Sequence, residues 1–288
     1  MSAEFRRVLR VQGMDSDANP RFQMVPNGGF RYVALHNGQD WRLGCSNESI
    51  CSFQEVPENQ VPATDRSMSG TAAMPGDRFF MLRGHARGDV MIAAVDPNST
   101  ETVFLEVAVK DKVTQHVQFY SVRDNAGHRS RRPLAVVGDW LPNLNYIWRR
   151  QANVEIVRHG SLGTLTVNRD LGDPIALPSG NIGTNGTAIR DAAGTTADLG
   201  VFFVWEIDEP GSSDEDAVCT IGTATNGGPG ICIFEDQAGA GQMLSLAHEF
   251  GHHMGLDHNN ASRSNLMWPY TGERGLNLTK EEVNIVNP

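Results

Sequence analysis

The strongest constraint on this chain lies at residues 241–258, GQMLSLAHEFGHHMGLDH. His248 and His252 are four apart, which puts both imidazoles on one face of a helix. Glu249 adjoins the first of them, with its carboxylate available to the same open site. Gly255, three residues past His252, can take the positive φ that stops a helix, so the chain can turn back and deliver His258. Three imidazoles would fill three positions of a tetrahedral zinc centre and leave the fourth to water, whose proton Glu249 can accept. A purely structural centre has no need of a base beside an open position. The other six histidines, His36, His85, His116, His128, His159 and His253, read as surface groups, with His253 alternatively a supporting group behind the ligands.

HEFGHHMGLDH resembles the extended zinc-binding motif of the metzincin clan of metalloendopeptidases, and the following SNLMWP is similar to the methionine turn of its matrixin branch. The resemblance is strongest over residues 243–270, extends loosely back to about residue 112, and covers little of residues 1–110. It implies one catalytic Zn2+ held by His248, His252 and His258, with Glu249 as general base. It also implies Gly255 as the turn and Met267 as an apolar support beneath the metal, a role that suits a soft, unbranched side chain. Tyr270, three residues after Met267, resembles the tyrosine that steadies the transition state in other branches, although theirs sits two after the methionine. It is carried as a catalytic candidate, with a place in the pocket wall as the alternative. His258 is followed by Asn259 instead of the serine common in matrixins, and no upstream His and Asp ladder marks that branch's structural zinc and calcium sites. A single zinc is therefore expected.

Length allows two domains or one large one. Between residues 22 and 108, short runs such as FRYVALH, WRLGC and TVFLEVAVK alternate with turns, and predict antiparallel strands. A polar segment at 55–76 reads as a long loop, and the pattern changes near Lys110–Lys112. Beyond it, Leu134, Val137, Trp140, Leu141, Leu144, Ile147 and Trp148 predict a helix around 135–150, with Pro142 in a first turn or a kink. Strands follow at VEIVRH and at 201–207, then two more across a Gly-rich turn at 219–235. A short closing helix starts after Thr279, with Thr279 and Glu282 as a capping box and Val283 and Ile285 packed inward. The expected fold is multidomain: an N-terminal all-β sandwich-like module at 1–111, then at 112–288 an α/β metzincin-like zincin domain. The resemblance gives that domain a twisted sheet, an active-site helix and a small C-terminal subdomain. The acidic run 208–216 lacks the D-x-[DN]-x-[DN]-G spacing, which leaves Ca2+ open without predicting it.

The formal charge of −10 argues against nucleic acid and anionic membrane as partners. No apolar run is long enough for a membrane span, and the opening MSAEFRRVLRVQGMDSD has no apolar core of a secretory signal. The layout of the four cysteines suggests local disulfides Cys45–Cys51 and Cys219–Cys232, against free buried thiols; neither spacing suits a four-Cys zinc site. Two disulfides imply an oxidising place, hence a secreted, extracellular protein exported without a recognisable signal peptide. The expectation is a monomeric zinc metalloendopeptidase acting on a protein or peptide substrate, whose strand-shaped chain lies along an edge strand near 219–235. Residues 1–111 would be an accessory module for a surface, substrate or secretion partner, or an inhibitory domain of a latent, zymogen-like enzyme. A zinc-containing adhesin without turnover is the remaining alternative.

Overall fold

The computed structural model describes residues 3–8, 13–62, 76–177, 183–208, 217–220, 230–236, 242–270 and 275–288, with backbone alone for 217–220 and for Gln242. It is a mixed α/β structure with several sheets and few helices. Two compact units share it: Met1–Val113, Ile147–Val154 and Leu276–Pro288 form the first, and Thr114–Tyr146 with Glu155–Gly275 the second. No helix among the described residues is long and apolar enough to cross a membrane.

The first unit carries β1 (Glu4–Arg7), β2 (Met14–Asp15), β3 (Arg21–Pro26), β4 (Phe30–His36), β5 (Arg42–Cys45), β6 (Cys51–Val56), β7 (Arg78–Gly84), β8 (Gly88–Val95) and β9 (Thr102–Lys110). One sheet runs β1-β4-β7-β6 and the other β2-β3-β9-β8-β5. Pairing is antiparallel except between β3 and β9, which run parallel. Strand alternation sends one side of each sheet inward: Phe5, Val33, Leu35, Phe80 and Leu82 from the first meet Val90, Ile92, Leu105 and Val107 from the second in one core.

The cysteines here correct an expectation. Cys45 ends β5 and Cys51 begins β6, on different sheets, and both are free thiols. The Cys45 Sγ points at the Cys51 carbonyl oxygen, 3.1 Å away, and the Cys51 Sγ at the Ser52 oxygen, at 3.6 Å. Burial pushes both thiols up, that of Cys51 to about 12.

The second unit holds β10 (Val113–Asp124), β11 (Val154–Arg158), β12 (Gly163–Val167), β13 (Ile175–Ala176), β14 (Leu199–Val204), β15 (Ile207–Asp208), β16 (Ala217–Thr220) and β17 (Gly230–Glu235), except that Val113 and Val154, the first residues of β10 and β11, group with the first unit. The main sheet is ordered β11-β10-β14-β17-β16, with β12 also on β10. β10 is parallel to β12 and β14, β14 is parallel to β17, and β16 closes the edge antiparallel to β17. All six residues of β14, LGVFFV, are buried, as in a parallel strand covered on both faces.

The helices are α1 (Val137–Ala152), α2 (Gly183–Ala193), α3 (Gln242–His253) and α4 (Lys280–Val286). Pro142 lies inside α1, and Trp140 two residues before it meets Phe203 and Phe234 edge-on at 5.5 and 6.1 Å. Buried amides close the first unit: Gln151 Oε1 accepts from Leu278 N–H at 2.9 Å, and Asn287 Nδ2 donates to Asp111 and Ala152 oxygens at 2.8 and 2.7 Å. Helix α4 opens on the expected capping box, Thr279 N–H donating to Glu282 Oε2 at 2.7 Å and Glu282 N–H to Thr279 Oγ1 at 3.3 Å. Its inward face differs from the expected one. Val283 and Val286 are buried, three apart on one helix face, whereas Ile285 is 52% exposed.

Candidate metal centre

Helix α3 positions the first two histidines. Leu246, Ala247 and Phe250 are fully buried along one stripe and fix the helix against the core, and His248 beside them is 1% exposed. The helix stops at Gly255, whose φ is 95°. Gly255 N–H donates to His252 O and Leu256 N–H to Gly251 O, both at 2.9 Å, the paired bonds of a Schellman cap. The expected turn is therefore present. Beyond it the chain reverses, and Asn259 N–H bonds Met267 O at 2.9 Å.

That reversal supplies the carbonyls that orient the imidazoles. His252 Nδ1 lies 2.7 Å from Leu256 O and His248 Nδ1 lies 2.9 Å from Leu266 O. A carbonyl oxygen only accepts, so each Nδ1 carries the proton and each Nε2 presents a lone pair. The two Nε2 atoms face each other at 2.9 Å, and one ligand atom from each of His248, His252 and His258 lies within 4.8 Å of the others. Ring centroids are 4.5, 5.3 and 4.7 Å apart. A tetrahedral zinc with bonds of about 2.0–2.1 Å spaces its nitrogen donors by about 3.4 Å. Opposed lone pairs at this separation repel one another but suit a shared cation, so the donor set fits the metal. His248 is buried, His252 half-buried and His258 exposed, which opens the group on one side. Glu249 is half-buried, next to His248 on α3.

Met267 is fully buried, and a Cβ added at Gly251 would overlap its Sδ. The sulfur thus packs under the helix between the two histidine positions. Asn265, which sequence reasoning passed over, organises this turn: its Oδ1 accepts from Met267 N–H at 2.5 Å, and its backbone oxygen accepts from Gly275 N–H at 3.2 Å. Its signal was an Asn two residues before the methionine, the spacing of an Asx-turn. Tyr270 is 62% exposed, with its ring 5.9 Å from that of Trp268. His253 is no surface group. Its ring lies against Gly230, its buried Nδ1 has no hydrogen-bond partner among the described residues, and burial pushes its pKa down.

At the sheet edge, the register sets Cys219 opposite Cys232. The Cys219 side chain, most of the acidic run (209–216) and the Gly-rich turn (221–229) lie outside the described residues.

No protein-family model matches the chain, and no curated protein matches it. Among solved structures, metalloproteinase-II from Bacteroides fragilis is 8% identical over 91% of this chain and 84% of its own, with a TM-score of 0.39. Domains 5–6 of the S-layer protein SbsC are 13% identical over 38% of this chain and 43% of theirs, at a TM-score of 0.23. Domains 4 and 5 give 16% identity over 35% and 46%, at 0.22. The chain spans less than half the length of either S-layer fragment. At these TM-scores the likenesses fix neither its fold nor its activity.

Proposed function

We propose that the protein is a zinc-dependent endopeptidase, with His248, His252 and His258 as ligands and Glu249 as general base. The observation that carries this reading is the pair of Nε2 atoms held face to face by carbonyls on their Nδ1 sides, with a carboxylate next in sequence. Zinc bound there would polarise the scissile carbonyl and acidify water. Glu249 accepts the proton of the attacking water and passes it to the leaving amine. The carbonyls of Leu266 and Leu256 keep both imidazoles in the ligating tautomer, so little reorganisation is needed. Met267 and Gly251 hold the helix and the turn in register beneath the ligands. Strand β16, at the edge of the sheet, offers backbone groups on which an extended peptide can add as a further strand. An extracellular location remains part of the proposal, resting on neither of the two expected disulfides.

The test is hydrolysis of a dye-quenched protein substrate, with bound zinc counted in the same preparations. Glu249→Ala keeps its zinc and loses about 10^2–10^4-fold in turnover, the usual worth of general acid–base catalysis. His252→Ala loses both zinc from this centre and turnover. Undiminished hydrolysis by Glu249→Ala contradicts the assignment.

A further inference from the structure

A second set of ligand-type atoms gathers where β10 ends, using none of the residues of the three-imidazole centre. Asp124 is the last residue of β10, and its side chain is fully buried. The turn after it brings His128 back: His128 N–H donates to Asp124 Oδ1 at 2.9 Å, and its Nδ1 lies 2.9 Å from Asp124 Oδ2. β12 runs parallel beside β10 with Val167 paired to Asp124, so the turn following β12 arrives at the same place. There Leu171 N–H donates to Asp124 Oδ2 at 3.1 Å, and Asp170 Oδ1 stands 3.9 Å from His128 Nδ1. The far side of the ring faces Asp173, whose Oδ2 is 4.0 Å from Nε2. Trp205 lies 5.4 Å from the imidazole and donates its indole N–H to Gly172 O at 3.0 Å, bracing ring and turn together. A cleft of about 530 Å³ opens here, lined by His128, Asp173, Glu206 and Asp236 and also by Arg129 and Arg131.

We propose that Asp124, His128 and Asp170 form a second site, for a divalent transition cation of the zinc class. One ligand atom from each lies within 4.8 Å of the other two. The distances from His128 Nδ1, 2.9 and 3.9 Å, bracket the spacing of about 3.4 Å between donors in a tetrahedral site. Two carboxylates and an imidazole form a mixed oxygen and nitrogen set, which suits zinc-class metals better than calcium, with its shell of oxygens. Asp124, Asp170 and Asp173 converge on one imidazole, an excess of negative charge that a divalent ion neutralises. Binding at Nδ1 places the single proton of the neutral ring on Nε2, facing Asp173, the carboxylate–imidazole–metal arrangement that orients ligating histidines; an imidazolium releases its Nδ1 proton to solvent. The site stands independently of the proposed peptidase.

Titration of the metal-free full chain with Zn2+ alone, followed by calorimetry and by counting bound metal, tests it. Two zinc ions bind per wild-type chain. Asp170→Ala, which removes a side chain 66% exposed, loses one of them and lowers the unfolding midpoint of the metal-free protein no further than the loss of the exposed Gly172 N–H to Asp170 Oδ1 bond of 2.9 Å accounts for. His252→Ala loses the other. A single zinc, lost in His252→Ala and kept in Asp170→Ala, overturns the second site and leaves the peptidase standing. A single zinc lost in Asp170→Ala and kept in His252→Ala supports the second site and overturns the peptidase. Two ions retained in both Asp170→Ala and His128→Gln, or none bound by wild type, overturn the second site.

Discussion

Met267 seats its sulfur against the backbone of Gly251, where any side chain would collide with it: a Cβ there would overlap Sδ and stand 3.0 Å from Cε. Gly251 lies between His248 and His252, so the contact sets the helix on the methionine turn that also provides the Leu266 carbonyl to His248. Gly251→Ala should cost about 1–3 kcal/mol, the range for overpacking a filled site, and should weaken zinc binding as the turn shifts. Met267→Leu, close in volume, should cost less than about 1.5 kcal/mol. Urea unfolding of the metal-free proteins measures both. A Gly251→Ala protein as stable as wild type would mean that this packing is wrong.

The capping box at α4 gives a second prediction. Thr279→Ala removes the acceptor for Glu282 N–H at a helix of seven residues, and caps of this kind are worth about 0.5–2 kcal/mol. Thr279→Ser should retain most of that. Equal losses for the two substitutions would show that the hydroxyl does not cap.

Much of this was legible in sequence because it is local. A four-residue histidine spacing, a glycine past the helix end and a Thr-x-x-Glu box each act within one or two turns of chain, and the structure forms the Gly255 cap and the Thr279 box as expected. The groups missed depend on partners far along the chain. Gln151 joins Leu278 across 127 residues, and Asp124 meets Leu171 across 47. No local period announces such contacts. Cys45 and Cys51 misled for the opposite reason: they are near in sequence, but the chain changes sheets between them, and their sulfurs are directed at carbonyls.

Those thiols should resist alkylation. Burial raises both pKa values, so little thiolate exists near pH 8, and Cys51 is fully buried as well. Iodoacetamide should label Cys51 only after denaturation and Cys45 slowly in the native protein, with no reductant needed for either. Labelling of this pair that required prior reduction would restore the disulfide.

Arg78 provides a pH test. Its guanidinium donates to both Glu55 oxygens, at 2.9 and 2.7 Å, and to the Gly38 and Trp41 carbonyls. Hydrogen bonding by Arg78 lowers the Glu55 pKa. A depressed carboxyl pKa contributes stability that is fully present above the unfolded value of about 4.3 and is lost as pH falls through the folded value. Because Glu55 is 52% exposed, solvent screening limits the contribution to about 0–1 kcal/mol. Glu55→Gln should be slightly less stable than wild type at pH 7 and equal to it at pH 2. A gap that widens in acid would reverse the sign and contradict the pairing.

In the proposed reaction a metal held by three imidazoles works with Glu249 to cut peptide bonds. Mass mapping of new chain ends, after incubation with a mixture of unrelated proteins, tests it most directly when wild type is compared with chelated wild type and with zinc-loaded Glu249→Ala. Wild type should give internal cleavages that disappear in both controls and return when zinc is restored to the chelated protein. Cleavages that persist in zinc-loaded Glu249→Ala, or a zinc-loaded wild type that cuts nothing, would contradict it.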